Sequence, residues 1–232
     1  MNVLFVCSGN TCRSAMAEGI AKALIKENPQ QYRQIRVASA GTFAEEGAQA
    51  SPLAQAVCRE HGIDLTDFTA RQVSPQLLKN ADLVLAMTNS HKKLLNTLAP
   101  EAVGKIFLLK EYEYGEDVGA LNVRLYHLGQ AYATARESFV KANEERLREM
   151  DLLYETEPEE AERRFTALND ELSQQVKALD CELTVLQDKV AALDIGDPFG
   201  GERSEYEACF NELWASISAV FAKLSASGAL EE

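Results

Sequence analysis

A cysteine and an arginine six residues apart, Cys7 and Arg13, are the residues of this chain whose types and spacing point most directly to chemistry. Between and beside them stand Ser8, Gly9, Asn10, Thr11, Cys12 and Ser14. The apolar run Val3-Leu4-Phe5-Val6 precedes them and has the length and composition of a fully buried strand. Ala15 to Leu24 follows, rich in helix formers with apolar positions at helical spacing. A loop that leaves a strand and opens a helix gathers unsatisfied N–H groups and the positive end of the helix dipole at one point, which makes an anion site. The fork of Arg13 suits two oxygens of a phosphoryl group, and the same field favours the thiolate of Cys7. Gly9 is expected to supply the positive φ that lets the backbone curl round the anion. Asn10 and Ser14 are expected to pin the loop and to donate to the sulfur. A thiolate inside a phosphate cradle implies covalent catalysis through a phosphocysteine. A structural cysteine beside an ordinary helix cap could share the bare Cys/Arg spacing. The strand before, the helix after and the Gly, Asn and Ser between them favour the catalytic reading.

These residues also carry a resemblance. CSGNTCRSAMAE, residues 7–18, is similar to the signature of the low-molecular-weight protein tyrosine phosphatases. The resemblance implies Cys7 as nucleophile, Arg13 as phosphate clamp, and Ser8 to Ser14 as the phosphate-binding loop, with Asn10 and Ser14 supporting it. Ala15 stands where the family usually has proline, at some cost in loop rigidity.

The elements that must position this loop follow in order. Asn28-Pro29 stops the first helix, and Ile35 to Ser39 reads as a second strand ending in Ala40-Gly41-Thr42, a run that also matches the family. Ser51-Pro52 starts a helix closed by Gly62, on which Cys58 is expected in the core. A polar stretch over 66–74 leads to a short helix at Pro75 to Leu78. Asp82 to Met87 is the third strand, Ser90 to Leu98 a helix, and Lys105 to Leu109 the fourth strand. Near-continuous apolar strands alternating with helices predict an α/β fold, a four-stranded parallel sheet with helices on both faces. The Cys7 loop then lies at the carboxyl end of a strand, where ligands bind in such sheets.

Near Tyr112 the alternation breaks. From Asn122 to Leu193 the chain holds one glycine and one proline among many Glu, Arg, Lys, Ala and Leu. Val176, Leu179, Leu183, Leu186, Val190 and Leu193 form a heptad seam, which Phe165, Leu168 and Leu172 extend backwards through a stutter. Leu125, Leu128, Tyr132, Ala135 and Phe139 show the same stepping, resumed by Leu147, Met150 and Tyr154. Glu155 to Glu159 makes a turn, with Pro158 placed to begin a helix. The expectation is an inserted antiparallel coiled-coil helical hairpin over 119–194, with arms about 50 Å long, interrupting a discontinuous phosphatase domain of 1–118 and 195–232. Family members of this type lack such an insertion. Its first arm is weakly apolar, with Ala135, Ala142 and Arg146 on the seam, which favours pairing with another hairpin, as in a homodimer.

Immediately after the hairpin comes Gly196-Asp197-Pro198-Phe199-Gly200-Gly201. Phosphoryl transfer to Cys7 needs a proton for the departing group, which an aspartic acid on a nearby loop can supply. The segment resembles the family's general-acid loop, and this implies Asp197 as the acid. Thr11 and Phe199 are similar to their counterparts in the protein arginine phosphatases of this family. A guanidinium is flat and cationic, so a threonine hydroxyl suits its edge, an aspartate its charge and a phenyl ring its face. Phosphoarginine in proteins is the favoured substrate; phosphotyrosine is the alternative, and arsenate reduction or a silent phosphate-binding module stand behind both. Arsenate reduction would need a further redox cysteine near the site, and residues 62–180 contain none. Cys12 is open to two readings, a loop-filling residue or a redox partner of Cys7.

The last helix, from about Ser204 to Ser225, carries an apolar stripe from Tyr206 to Leu224, with Cys209 and Trp214 expected in the core and the residues after Ser225 expected to fray. A net charge of −13 and a pI near 4.8 argue against nucleic acid or an anionic membrane as partner. Five cysteines and three scattered histidines show no metal-ligand spacing, so neither metal nor cofactor is expected. No segment reads as a signal peptide or a membrane span, and a thiolate enzyme fits a reducing cytoplasm.

Overall fold

A computed structural model of the chain describes residues 1–227. The chain divides into two compact units, one of residues 1–116 and 191–232 and one of residues 117–190.

The first unit is built on four parallel strands, β1 (Asn2–Cys7), β2 (Arg36–Gly41), β3 (Leu83–Ala86) and β4 (Ile106–Leu108), in the order β2-β1-β3-β4. Its helices are α1 (Arg13–Glu27), α2 (Pro29–Tyr32), α3 (Pro52–Glu60), α4 (Pro75–Asn80), α5 (Asn89–Leu98) and α6 (Leu109–Tyr114). A 3₁₀ turn spans Pro100–Lys105. β1 is buried from Val3 to Cys7 because helices cover both sides. Val3, Phe5 and Cys7 face a core shared with α1, α3 and the C-terminal helix, while Leu4 and Val6 point the other way, as the period of two requires. Ser51, Ser74 and Thr88 cap α3, α4 and α5 by accepting backbone N–H groups, which is why each helix begins where it does.

Several boundaries differ from expectation. β2 begins at Arg36 and runs on to Gly41, with Ile35 buried just before it. β4 is only three residues long, because Leu109 already opens α6; this short helix is held by Glu111, which accepts the N–H of Leu108 at 2.8 Å and pairs with Lys92 at 2.6 Å.

The second unit contains α7 (Val118–Ala142), α8 (Glu144–Tyr154) and most of α9 (Pro158–Ala191). The expected first arm is therefore two helices. Asn143 ends α7 in a non-helical conformation, its side-chain amide donating to the Phe139 carbonyl at 2.9 Å, and α8 restarts directly after it. Arg146 grips Glu171 through two hydrogen bonds of 2.8 Å, and Arg124 pairs with Glu182, so α9 runs antiparallel to the first arm. Leu168, Val176, Leu186 and Val190 of the predicted seam are buried, as is Met150 opposite. Phe165 and Tyr154, assigned to the same seam, are instead 59% and 58% exposed, and Ala161 is the buried residue nearest the turn.

The last helix is α10 (Arg203–Ala226), capped by a reciprocal pair of hydrogen bonds between Glu202 and Glu205. Its buried stripe runs from Tyr206 to Leu224, with Cys209 in it. Trp214 is only half-buried at the edge of the core, against Phe210. Helix continues one residue past Ser225, and the remainder of the segment expected to fray, 228–232, lies outside the described residues.

Candidate active site

Cys7 is the last residue of β1, and Arg13 the first of α1. The loop between them adopts its shape through Asn10, which has φ +56°. Gly9 does not take the positive φ expected of it, and the correction has a physical reason. Asparagine tolerates the left-handed region when its side chain is bound locally, and Asn10 is fully buried with three partners. Its amide nitrogen donates to Ser14 Oγ at 2.9 Å and to Ser39 Oγ at 2.8 Å, and its oxygen accepts the N–H of Arg71 at 2.9 Å. The end of β2 presses against this loop: the N–H groups of Thr42 and Phe43 donate to the carbonyls of Cys7 and Ser8, each at 2.9 Å. A side chain at Gly41 would meet Ser8 O at 2.4 Å, so only glycine fits there.

A directed hydrogen-bond chain runs from the helix to the sulfur. Glu18, buried on α1 and paired with Lys22 at 2.6 Å, accepts the hydroxyl of Ser39 at 2.6 Å. Ser39 therefore accepts from Asn10, and Asn10 gives its other hydrogen to Ser14. The chain ends at Ser14, whose Oγ lies 2.9 Å from Cys7 Sγ and 3.5 Å from the Ala40 carbonyl.

The arginine is similarly constrained. Arg13 is 4% exposed; Nη1 donates to Ile195 O at 3.2 Å and Nη2 to Asp197 Oδ2 at 2.6 Å. Among the described residues its Nε has no hydrogen-bond partner. A buried guanidinium donor without an acceptor is costly unless a ligand supplies one. The N–H groups of Gly9 to Cys12 likewise find no protein acceptor among the described residues. Converging donors at a helix N-terminus beside a buried cation form a cradle for a tetrahedral oxyanion.

Asp197 is brought to the cradle by stitches on either side of it. The Ile195 N–H donates to Met87 O at 2.8 Å, Asp194 accepts the N–H of Asn89 at 2.7 Å, and Asp197 Oδ1 accepts the N–H of Phe199 at 3.2 Å. Cys7, Ser8, Gly9, Thr11, Cys12, Arg13, Phe43, Asp197 and Phe199 line one cavity of about 240 Å³. The phenyl rings at its mouth, Phe43 and Phe199, are 78% and 74% exposed.

Cys12 lies under the loop, its sulfur 3.3 Å from Ser51 Oγ and 3.5 Å from Tyr206 OH. Burial pushes the thiols of Cys58 and Cys209 up to about 12, which leaves both inert core residues. Among the described residues no cluster has the makings of a metal site, and no helix is long and apolar enough to cross a membrane.

Phe43 carried no signal in the sequence, and neither did His91, whose ring nitrogens lie 2.8 Å from Ser8 Oγ and 2.8 Å from Thr88 Oγ1; Glu18 and Ser39 stood in runs that match the family but were given no role. His91 sits one turn into the helix that follows β3, next to β1 in the sheet. Strand order, which places it at the carboxyl edge, is the signal that could have singled it out.

A parallel sheet carrying a Cys-loop-Arg cradle and a facing aspartate defines a cysteine-dependent phosphatase. The chain belongs to the family described as low molecular weight phosphotyrosine protein phosphatase, whose model matches residues 2–125. It is 43% identical over 115 residues to a protein-arginine-phosphatase of Geobacillus stearothermophilus, covering 50% of this chain and 73% of that protein. It is 38% identical over 112 residues to the low molecular weight protein-tyrosine-phosphatase Wzb of Escherichia coli K12, covering 48% and 71%. Among solved structures it is similar to the YwlE arginine phosphatase from Geobacillus stearothermophilus, with a TM-score of 0.61 and 26% identity over 100% of this chain and 97% of that one.

Proposed function

We propose that this chain removes phosphate from phosphoarginine in proteins, with Cys7 as nucleophile, Arg13 as clamp and Asp197 as general acid. The observation that carries the reading is the single cavity in which a sulfur oriented by Ser14, an arginine with an unpartnered Nε and a carboxylate meet. The Cys7 thiolate attacks phosphorus, the P–N bond breaks, and Asp197 delivers its proton to the departing guanidine nitrogen. Asp197, now a carboxylate, takes a proton from water as that water attacks the phosphocysteine, and the P–S bond breaks to return the thiolate and release inorganic phosphate. Ser8 to Ser14 hold the phosphoryl oxygens throughout.

Substrate choice falls to Thr11 and Phe199, to which the structure adds Phe43. Phe43 and Phe199 line the cavity with Thr11 and Asp197, which offers a flat guanidinium a phenyl ring for its face and a hydroxyl and a carboxylate for its edge. The similarity to protein-arginine-phosphatases supports the same reading. The aromatic mouth would also accept a phenyl ring, and phosphotyrosine is the second reading, favoured by the likeness to Wzb. Rate constants on phosphoarginine and phosphotyrosine peptides, with Cys7→Ser as the blank, decide between them. At least tenfold preference for phosphoarginine, about 1.4 kcal/mol of transition-state discrimination, is expected. The opposite preference would reject the arginine assignment and leave the phosphatase.

Cys12 is assigned as the redox partner. Oxidation of Cys7 by peroxide to a sulfenic acid, followed by attack of the Cys12 thiol with loss of water, would give a disulfide that a thiol reductant reopens. Peroxide inactivation that dithiothreitol cannot reverse would reject it. A reducing cytoplasm suits that chemistry. The hairpin, thin in its own seam and carrying exposed Val123, Tyr126 and Val185, is assigned as a homodimerisation element; light scattering tests this below.

A further inference from the structure

The chemistry above gives His91 no task, although its ring is buried and held at both nitrogens. Burial first, and then the charge of Arg13, pushes the imidazole down to about 4, with Asp197 opposing. The ring is therefore neutral from about pH 5 to 8 and carries one N–H. Which nitrogen carries it follows from the fate of each hydrogen. Thr88 Oγ1 accepts the backbone N–H of His91 at 3.3 Å as the cap of α5. Among the described residues its own hydroxyl hydrogen has no acceptor other than His91 Nδ1. With Nδ1 accepting, the proton sits on Nε2 and is donated to Ser8 Oγ. Ser8 Oγ also accepts from Arg13 Nη2 at 3.4 Å. Both acceptor sites of the Ser8 hydroxyl are then engaged, and its hydrogen is left to point into the cavity that Ser8 lines with Cys7 and Arg13.

We propose that the Ser8 hydroxyl donates to a phosphoryl oxygen, and that His91 is the positioning residue that aims it, with Thr88 setting the tautomer. This rests on the Cys7 loop holding a phosphoryl group. Among the described residues of the free protein the Ser8 hydrogen has no acceptor. In the complex it gains an anionic one, so the interaction belongs to the bound state. It strengthens as charge gathers on the phosphoryl oxygens.

The test uses the full chain, turnover of an aryl phosphate, and inorganic phosphate as a competitive inhibitor. Ser8→Ala and His91→Phe are each expected to lower kcat/KM about tenfold and to weaken phosphate inhibition to a similar degree. The double variant is expected to be no worse than either single, because both remove one interaction. His91→Gln, whose amide nitrogen can stand in for Nε2, is expected to recover most of the loss. Nitrogen-15 NMR of the wild-type imidazole is expected to show the proton on Nε2, and this reading needs no substitution that could disturb folding. A Ser8→Ala variant with wild-type constants, additive losses in the double variant, or a proton found on Nδ1 would each overturn the proposal while leaving the phosphatase reading intact. A wild-type protein that neither turns over nor binds phosphate would overturn both.

Discussion

The two units of this chain are held together by different physics. In the catalytic unit, parallel strands are covered on both faces, and Phe5, Leu85, Phe210 and Phe221 are fully removed from solvent. In the helical unit the seam between the arms is one layer deep, and large apolar side chains such as Leu152 and Phe165 remain exposed. Its visible support is local: ion pairs such as Glu144–Arg148 and Glu160–Arg164 along single helices, and Arg146–Glu171 between them. A long helix that contacts a single neighbour can bury only a stripe of itself, whereas a covered sheet buries both faces of each strand. Chemistry that requires atoms held to tenths of an ångström sits in the first unit, where close packing leaves few alternative arrangements.

The contrast can be broken most decisively by truncating a core side chain in each unit. Phe210→Ala is expected to cost about 3–5 kcal/mol in the catalytic unit, and Leu168→Ala in the hairpin about 2 kcal/mol, the low end for a buried leucine. Denaturant melts would show it, and equal losses would remove the distinction. Next comes assembly. If the thin seam is completed by a second copy, light scattering is expected to give twice the chain mass, and Leu168→Ala to shift the population towards monomer. A strictly monomeric mass would leave the hairpin to stand on its two arms alone. Smallest of all, Arg146→Ala is expected to leave the melting temperature nearly unchanged despite two good hydrogen bonds to Glu171. That pair is solvated, and the arginine gives up side-chain freedom to hold it.

Much of this was readable in advance. The run Val3 to Val6 has the length and composition of a covered strand, and the residues after it those of a loop opening a helix, because composition and apolar spacing are local properties of the chain. Asp197 was singled out by a resemblance, since an Asp-Pro turn alone is common and carries little signal. Misreadings arose where a local preference met a distant partner. Gly9 is the freer residue, yet Asn10 takes the left-handed conformation, since Ser39 and Arg71 hold its side chain in place. The first arm reads as one helix, yet Asn143 turns back on the Phe139 carbonyl and divides it.

By itself the sequence determined the strand, loop and helix around Cys7, the alternation of strands and helices, and the long helical stretch between Val118 and Ala191. Each of these is written within a few turns of chain, where propensity, capping and periodicity act. Tertiary structure alone decided that Glu18 reaches the sulfur through Ser39, Asn10 and Ser14, that Phe43 and Phe199 line one cavity, and that His91 grips a serine 83 positions away. The reason is the parallel sheet: its order β2-β1-β3-β4 sets side by side strand ends that the chain separates by whole crossovers, and no local rule records which ends will meet.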